Sequence, residues 1–413
     1  MTEVDHRAGE PWTATTKLDE VAARALDFGV RRVQMLAWRD LEDPEAGGSE
    51  RHAHHVASRW ADAGLDVTMR TSVARGHVAS VERDGYHVVR RGQRYSVFPR
   101  SALSGVVGRR GKPDGLVEIW NGMPFFSPLW ARCPRITFLH HVHAEMWQMT
   151  LRPTHARAGE FVERRLAPPL YRGTRVVTLS ESSRQEIVAM LGLRPSRVSV
   201  VRPGVDDAFV PGGSRSPCPL VVAVGRLVPV KRFDVLMDAL AQVRRSVPDL
   251  RAVIVGEGYE RERLEAHRRV LGAEGWLELP GYRDDRELLD LYRGAWVLAS
   301  TSQREGWGMT ISEAGACATP AVVSRIAGHV DAVEDGVGGL VVDVDAHRHG
   351  PGRQGPSSAC AEALRAVLTD RVLRARLGRG ARARAGELSW DATAAGTLDA
   401  LVDEAAAGKR RGG

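Results

Sequence analysis

The sequence predicts an α/β protein built from two Rossmann-like, doubly wound domains that face each other across a cleft. Three observations predict it. The chain has 413 residues, too many for one comfortable core. Short apolar runs alternate with amphipathic segments along most of its length, the pattern of parallel α/β architecture. The alternation breaks near residue 205, where DDAFVPGGSRSPCP is rich in Pro, Gly and Ser and reads as an interdomain linker.

Before the break, VQMLAW (33–38), DVTMRT (66–71), GLVEIWN (115–121), RITFLHH (135–141), RVVTLS (175–180) and RVSVVRPG (197–204) read as strands. Helical segments lie between several of them, among them SERHAHHVASRWADAG and SSRQEIVAMLG. Ser180 or Ser182 caps the second of these and Gly192 stops it. After the break come LVVAVGRL (220–227), a helix from about Arg232, RAVIVGEG (251–258), WLELPG (276–281), the helix DRELLDLYRGA, WVLAST (296–301), AVVS (321–324) and GGLVVD (338–343). HRHGPGRQGPSS (347–358) reads as a mobile surface loop, and SWDATAAGTLDALVDEA has helical periodicity. The expected boundaries are 1–205, 216–387 and a C-terminal helix and tail over 388–413 that crosses back to the first domain. Such a pair of sheets makes a cleft at the carboxyl ends of its strands, where ligands bind.

Composition narrows the class. Hydrophobic residues at 43% and charged residues at 26% describe an ordinary globular chain. No apolar run is long enough to cross a bilayer, and MTEVDHRAGEPW lacks a signal peptide's apolar core, so a cytoplasmic protein is expected. Cys133, Cys218, Cys317 and Cys360 are scattered without metal-ligand spacing and read as reduced thiols. The net charge of +7 favours an anionic partner: a nucleotide, the inner face of a membrane, or nucleic acid. Nucleic acid is disfavoured, because no basic strip is interleaved with aromatics. The densest basic run, RARLGRGARARAG, reads as a solvated helix face.

The chemistry concentrates in REGWGMTISEAGA, which follows the strand WVLAST. Gly306 and Gly308 let backbone approach a ligand, and a helix starting near Met309 points free N–H groups of Met309 and Thr310 at an anion. Glu305 before that turn and Glu313 within the helix suit the vicinal hydroxyls of sugars. Two acids flanking an anion-binding turn describe a ligand with a sugar on each side of a phosphate group. An isolated E-x7-E pair would read as a solvated helix face; the glycines, the strand before and the helix after argue against that here.

In VGRLVPVKRFD, Gly225 ends a strand, Arg226 follows at once and Lys231 opens the next helix. Two cations there can grip a diphosphate. DPEAGGSERHAHH, with Gly47 and Gly48 before a helix, is a ligand-facing loop of the first domain, although it is not a G-x-G-x-x-G motif. His52, His54 and His55 read as helix-surface residues. FLHHVH brings His140 and His141 to the end of a strand, with no carboxylate or cysteine spacing to suggest a metal.

Together these stretches resemble the family 4 retaining glycosyltransferases, which have the two-Rossmann-domain GT-B fold. The resemblance spans GGSE, FLHH, VVTLSESSRQEI, VVRPGVD, VGRLVPVKRFDVLMDAL, IVGEG, GWGMTISEAGACATPAVVS and DGVGGLVVD. It implies an acceptor-binding first domain and a nucleotide-sugar-binding second one. It implies that Glu305 and His140 lie by the donor sugar, Glu313 by the nucleotide ribose, Arg226 and Lys231 on the diphosphate, and Gly48 in the loop meeting the diphosphate and acceptor. His329 and Asp331, in SRIAGHVDAVEDG, depart from the residues common in the family. The implied activity is transfer of a hexosyl unit from a nucleotide-sugar, with no cofactor and no metal site. The acceptor is left open among a sugar, a glycolipid and a specialised metabolite, with residues 74–113 and 145–172 as its candidate walls and Trp147 and Met149 as apolar candidates. A sugar phosphorylase or a nucleotide-sugar epimerase on the same architecture is the alternative.

Overall fold

The computed structural model describes residues 14–74, 76–107, 112–344 and 356–412, so most of the loop expected over 347–358 lies outside the described residues. Among the described residues fourteen strands form two sheets. The first holds β1 (Arg32–Leu36), β2 (Asp66–Thr71), β3 (Ser80–Arg83), β4 (Tyr86–Arg90), β5 (Gly115–Ile119), β6 (Arg135–Phe138), β7 (Arg175–Thr178) and β8 (Val198–Val200), in the order β3-β4-β2-β1-β5-β6-β7-β8. The second holds β9 (Leu220–Val224), β10 (Arg251–Val255), β11 (Leu277–Gly281), β12 (Val297–Ser300), β13 (Ala321–Ser324) and β14 (Gly339–Val342), in the order β11-β10-β9-β12-β13-β14. All pairings are parallel except β3 with β4.

Parallel strands covered on both faces need apolar residues at successive positions, which is why LVVAV, RAVIV and AVVS are near-continuous hydrophobic runs. Helix ends follow local chemistry. Ser180 accepts from Ser183 N at 3.1 Å to start Glu181–Leu191, and Gly192, at φ +63°, stops it. Asp284 and Glu287 form a reciprocal capping box at the start of Asp285–Gly294.

The β3–β4 hairpin at the edge of the first sheet was not expected from apolar runs. Its signal was the Asp84-Gly85 dipeptide, whose φ values of +43° and +78° make a tight hairpin turn. The C-terminal helix Trp390–Gly412 packs on the first sheet, where Ala394, Ala395, Leu398, Leu401 and Val402 share one core with Val21, Trp60 and Ile136. Trp60 donates to Ala394 O at 2.9 Å, and Arg59 pairs with Asp391 at 2.8 Å. Two chain segments therefore join the lobes, and they touch: Val205 bridges Ser389.

In the second sheet the strand order reverses between β9 and β12. An open parallel sheet offers its ligand crevice at that point. The first sheet reverses between β1 and β5, and the loop after β1 faces the second lobe.

Candidate active site

The loops that leave β9 and β12 are tied together before any side chain of the site is considered. Gln303 N donates to Val230 O at 2.8 Å, and Thr301 Oγ1 donates to Arg232 O at 2.9 Å. This lacing brings Lys231, in the short turn Pro229–Lys231 rather than in the following helix, onto Glu305 in a direct ion pair. Ser302 Oγ donates to the same Glu305 oxygen at 3.0 Å. Burial pushes the Glu305 carboxyl up, but Lys231, His329 and the hydrogen bond from Lys231 outweigh it and bring it down to about 2. Glu305 is thus an ionised acceptor at neutral pH. Lys231 also folds its chain over Gly225, where a Cβ would lie 3.1 Å from its Cε.

Met309 and Thr310 open helix Met309–Ala316 after Gly308, whose φ of +101° a side chain would resist. One turn further in, Glu313 is buried and accepts from Tyr292 Oη at 2.9 Å. Burial raises its pKa, and Arg51 of the first lobe draws it back. His329 is fully buried behind Glu305, its Nδ1 3.1 Å from Ser324 O, and burial brings its pKa down to about 4. Asp331 reaches the other lobe, accepting from Ser182 N at 3.2 Å, while Gly328 N donates to Ser182 Oγ at 2.8 Å. The departure at Asp331 is therefore part of a contact between lobes, whereas His329 packs within the second lobe.

The first lobe closes over this arrangement. Gly48 faces Met309, with a Cβ position 3.1 Å from Met309 Cε, and Arg226 Nη1 donates to Glu45 O at 3.3 Å. Arg51 pairs with Asp285 at 3.1 Å. Arg304 pairs with Glu145 at 3.0 Å and Glu186 at 2.8 Å. Gly306 lies against the His140 carbonyl, so closely that a Cβ would fall 2.5 Å from that oxygen. Beside Glu305 is a cavity of about 320 Å³ lined from both lobes, by Glu145 and Glu186 on one side and Ser302, Arg304 and Arg325 on the other.

The structure brings Lys231 onto Glu305, Gly48 onto Met309 and Arg226 onto the first-lobe loop at Glu45 and Gly47, with Glu313 a turn deeper than Met309. His140 lies beyond the strand rather than in it. The strand ends at Phe138, and the His140 ring meets His52, Nε2 to Nδ1 at 3.3 Å. His141 and His143 are the ones that feel the second lobe: after burial, the charges lowering their pKa include Arg226 and Arg304. The reason is the turn after the strand, where Glu163 accepts from His143 N at 2.8 Å and Ala144 N at 3.1 Å and fixes the loop. Trp147 is packing, donating to Glu163 at 2.9 Å. Tyr282 is 73% exposed at the end of β11.

Sequence reasoning also passed over Arg51, Tyr292 and Arg304. Arg51 and Arg304 stand inside or beside the quoted motifs, yet only the approach of the lobes gives them partners. Among the described residues no cluster of His, Cys, Asp and Glu has a geometry suited to a metal ion, and no helix is long and apolar enough to cross a membrane.

Two family models match the chain back to back: Glycosyltransferase Family 4 over residues 46–209 and Glycosyl transferases group 1 over residues 206–384. The D-inositol 3-phosphate glycosyltransferase of Acidothermus cellulolyticus is 37% identical over 261 residues, 57% of this chain and 56% of that protein. That of Kribbella flavida is 34% identical over 245 residues, 55% of each. The chain thus spans about half the length of the curated relatives it matches. Among solved structures, sucrose-phosphate synthase from Thermosynechococcus elongatus superposes with a TM-score of 0.74 at 19% identity, covering 89% of this chain and 97% of that one. Anabaena HepE in complex with UDP-glucose gives 0.66 at 20% identity, covering 91% and 99%. At such identities the likeness is one of fold.

Two parallel α/β lobes with charged loops meeting at the switch points define the GT-B class. The first lobe carries the Glycosyltransferase Family 4 match and the second the Glycosyl transferases group 1 match, and together they support a glycosyltransferase of family 4.

Proposed function

We propose that this chain is a retaining glycosyltransferase that moves a hexosyl unit from a nucleotide-diphosphate sugar to an acceptor hydroxyl, giving an α-glycoside without a metal ion. The observation that carries the reading is the ion pair of Lys231, after β9, with Glu305, after β12, at the switch point of the second sheet, with Arg226 on the same β9 loop. Cations beside an ionised carboxylate suit a diphosphate next to a sugar. Glu313, a turn deeper, suits the ribose hydroxyls. The UDP-glucose complex of HepE, which shares the fold, supports a nucleotide-sugar donor. The names of the curated relatives support a sugar-like acceptor such as an inositol phosphate.

In this mechanism the diphosphate departs through an oxocarbenium-like transition state. Arg226, Lys231 and the Met309 and Thr310 N–H groups hold the growing negative charge, each charge-assisted hydrogen bond contributing roughly 1.5–3 kcal/mol. The acceptor hydroxyl attacks from the same face, and a leaving phosphate oxygen takes its proton. Glu305, ionised, orients sugar hydroxyls instead of donating a proton. The donor site and the acceptor-facing loop lie on different lobes, so lobe closure excludes water before transfer.

A panel of nucleotide-sugars, scored for nucleotide release and then for transfer to soluble sugars, polyol phosphates and extracted lipids in the presence of chelator, tests the proposal. Turnover in chelator that Arg226→Ala abolishes supports it. Strict dependence on Mg²⁺ or Mn²⁺ overturns the metal-free mechanism, and no turnover with any donor overturns the activity.

A further inference from the structure

Arg39, in the loop after β1, is 8% exposed and stacks on the Trp38 ring with its guanidinium carbon 4.1 Å from the centroid. Glu45 holds it in place, Oε2 to Nη2 at 2.6 Å. Its other terminal nitrogen donates to the Glu45 carbonyl oxygen at 3.2 Å. That same oxygen accepts from Arg226 Nη1, of the opposite lobe, at 3.3 Å. Two guanidinium groups from opposite lobes therefore converge on a single carbonyl oxygen.

Like charges so placed repel each other. Burial lowers the pKa of Arg39, and Arg226 and Arg94 lower it further against the pull of Glu50 and Glu45. Among the described residues Arg226 has no ion pair, and it donates a hydrogen bond to that one uncharged oxygen. The loop holding Arg39 also carries Gly47, whose missing side chain leaves space 3.4 Å from Arg226 Nε. A planar guanidinium fork is the protein group best matched to phosphoryl oxygens, and a pair of forks converging on one oxygen suits a ligand with more than one negative charge.

We infer that Arg39 and Arg226 form a phosphoryl-binding clamp with one jaw on each lobe, so that the first lobe supplies a positive group of its own to the anion. The inference rests on the glycosyltransferase reading for its two possible sources, the diphosphate of the donor or a phosphate carried by the acceptor. It also gives lobe closure an electrostatic cause: an anion between the jaws replaces their repulsion by attraction to a common partner.

Calorimetric titration of the full chain with pyrophosphate, and with UDP, GDP and ADP, tests the clamp. Arg39→Gln is expected to weaken pyrophosphate and the preferred nucleoside diphosphate by about tenfold or more, with part of the loss recovered in Arg39→Lys. A loss confined to inorganic phosphate, titrated into protein saturated with nucleoside diphosphate, supports the clamp and assigns it to a phosphorylated acceptor. Glu45→Gln separates charge from loop collapse, because it keeps Arg39 and removes a competing carboxylate. It is expected to hold or raise anion affinity. Unchanged affinity in Arg39→Gln for every anion overturns the inference, as does an equal loss in Glu45→Gln. Failure of the unsubstituted chain to bind any nucleoside diphosphate refutes the glycosyltransferase reading, whereas the pyrophosphate arm still decides the clamp.

Discussion

Tyr292 donates its hydroxyl to Glu313 Oε2 at 2.9 Å, and both side chains are buried where helix Asp285–Gly294 meets helix Met309–Ala316. Among the described residues this is the hydrogen bond that fixes the Glu313 carboxylate. Tyr292→Phe leaves a buried acceptor without its donor, at a cost of about 1–3 kcal/mol. Urea unfolding is expected to show that loss, and nucleotide titration a weaker affinity, because the carboxylate is freed from the orientation it needs to meet ribose hydroxyls.

The two acids of the site are expected to respond to pH in opposite directions. Glu305 titrates in the folded chain at about 2, below the value of 4.5 for the free side chain. Its ion pair with Lys231 therefore contributes stability above 4.5, and that contribution is lost as pH falls towards 2. The full difference is of the order of 3 kcal/mol. Glu313 is raised instead, first by burial, so its contribution erodes as pH climbs above 4.5 through its folded pKa. Unfolding free energies from about pH 3 to about pH 8 check both signs. The gap between the unsubstituted chain and Glu305→Gln narrows in acid, while the unsubstituted chain gains on Glu313→Gln.

Glu163 is fully buried and accepts from His143 N, Ala144 N and Trp147 Nε1 within 3.1 Å. It holds Ala144 at φ +45°, a conformation that needs support from outside the residue. Glu163→Gln sets an amide N–H₂ against these donors. The expected cost is about 2–3 kcal/mol, read by urea unfolding. A fall in kcat larger than the rise in KM is expected too, because the histidine loop loses its anchor while the donor loops do not.

Most of the fold was legible because parallel strands write themselves as consecutive apolar residues, and AVVS and RAVIV are unmistakable in that respect. The donor-side motifs were legible for a related reason: Gly225-Arg226 sits directly after β9 and Gly306-Trp307-Gly308 lies between β12 and the helix that follows, so chain order gives their place in the cleft. The β3–β4 hairpin was not, because its residues alternate and its signal is a single Asp-Gly pair. The three histidines in FLHHVH were not separable in sequence, because they differ only in which way the turn faces them, and Glu163, some twenty residues away, anchors that turn. Arg39, Arg51 and Arg304 acquire meaning only from the opposite lobe.

Arg304 pairs with Glu145 and Glu186, both on the first lobe, while its neighbour Glu305 faces Lys231. Arg304→Met removes both contacts between lobes and keeps the length of the side chain. Solution scattering is expected to give a larger radius of gyration. Donor KM is expected to rise several-fold with little change in thermal stability, since partly exposed ion pairs contribute about 1 kcal/mol or less each.

The central claim is that one pocket joins Arg226, after β9, to Glu313, after β12, through a single nucleotide. Calorimetric titration of the unsubstituted chain, Arg226→Ala and Glu313→Ala with UDP, GDP and ADP tests it most directly. One nucleotide is expected to bind the unsubstituted chain, and each variant to lose about tenfold or more in affinity for it. Equal affinity in all three proteins would contradict the claim.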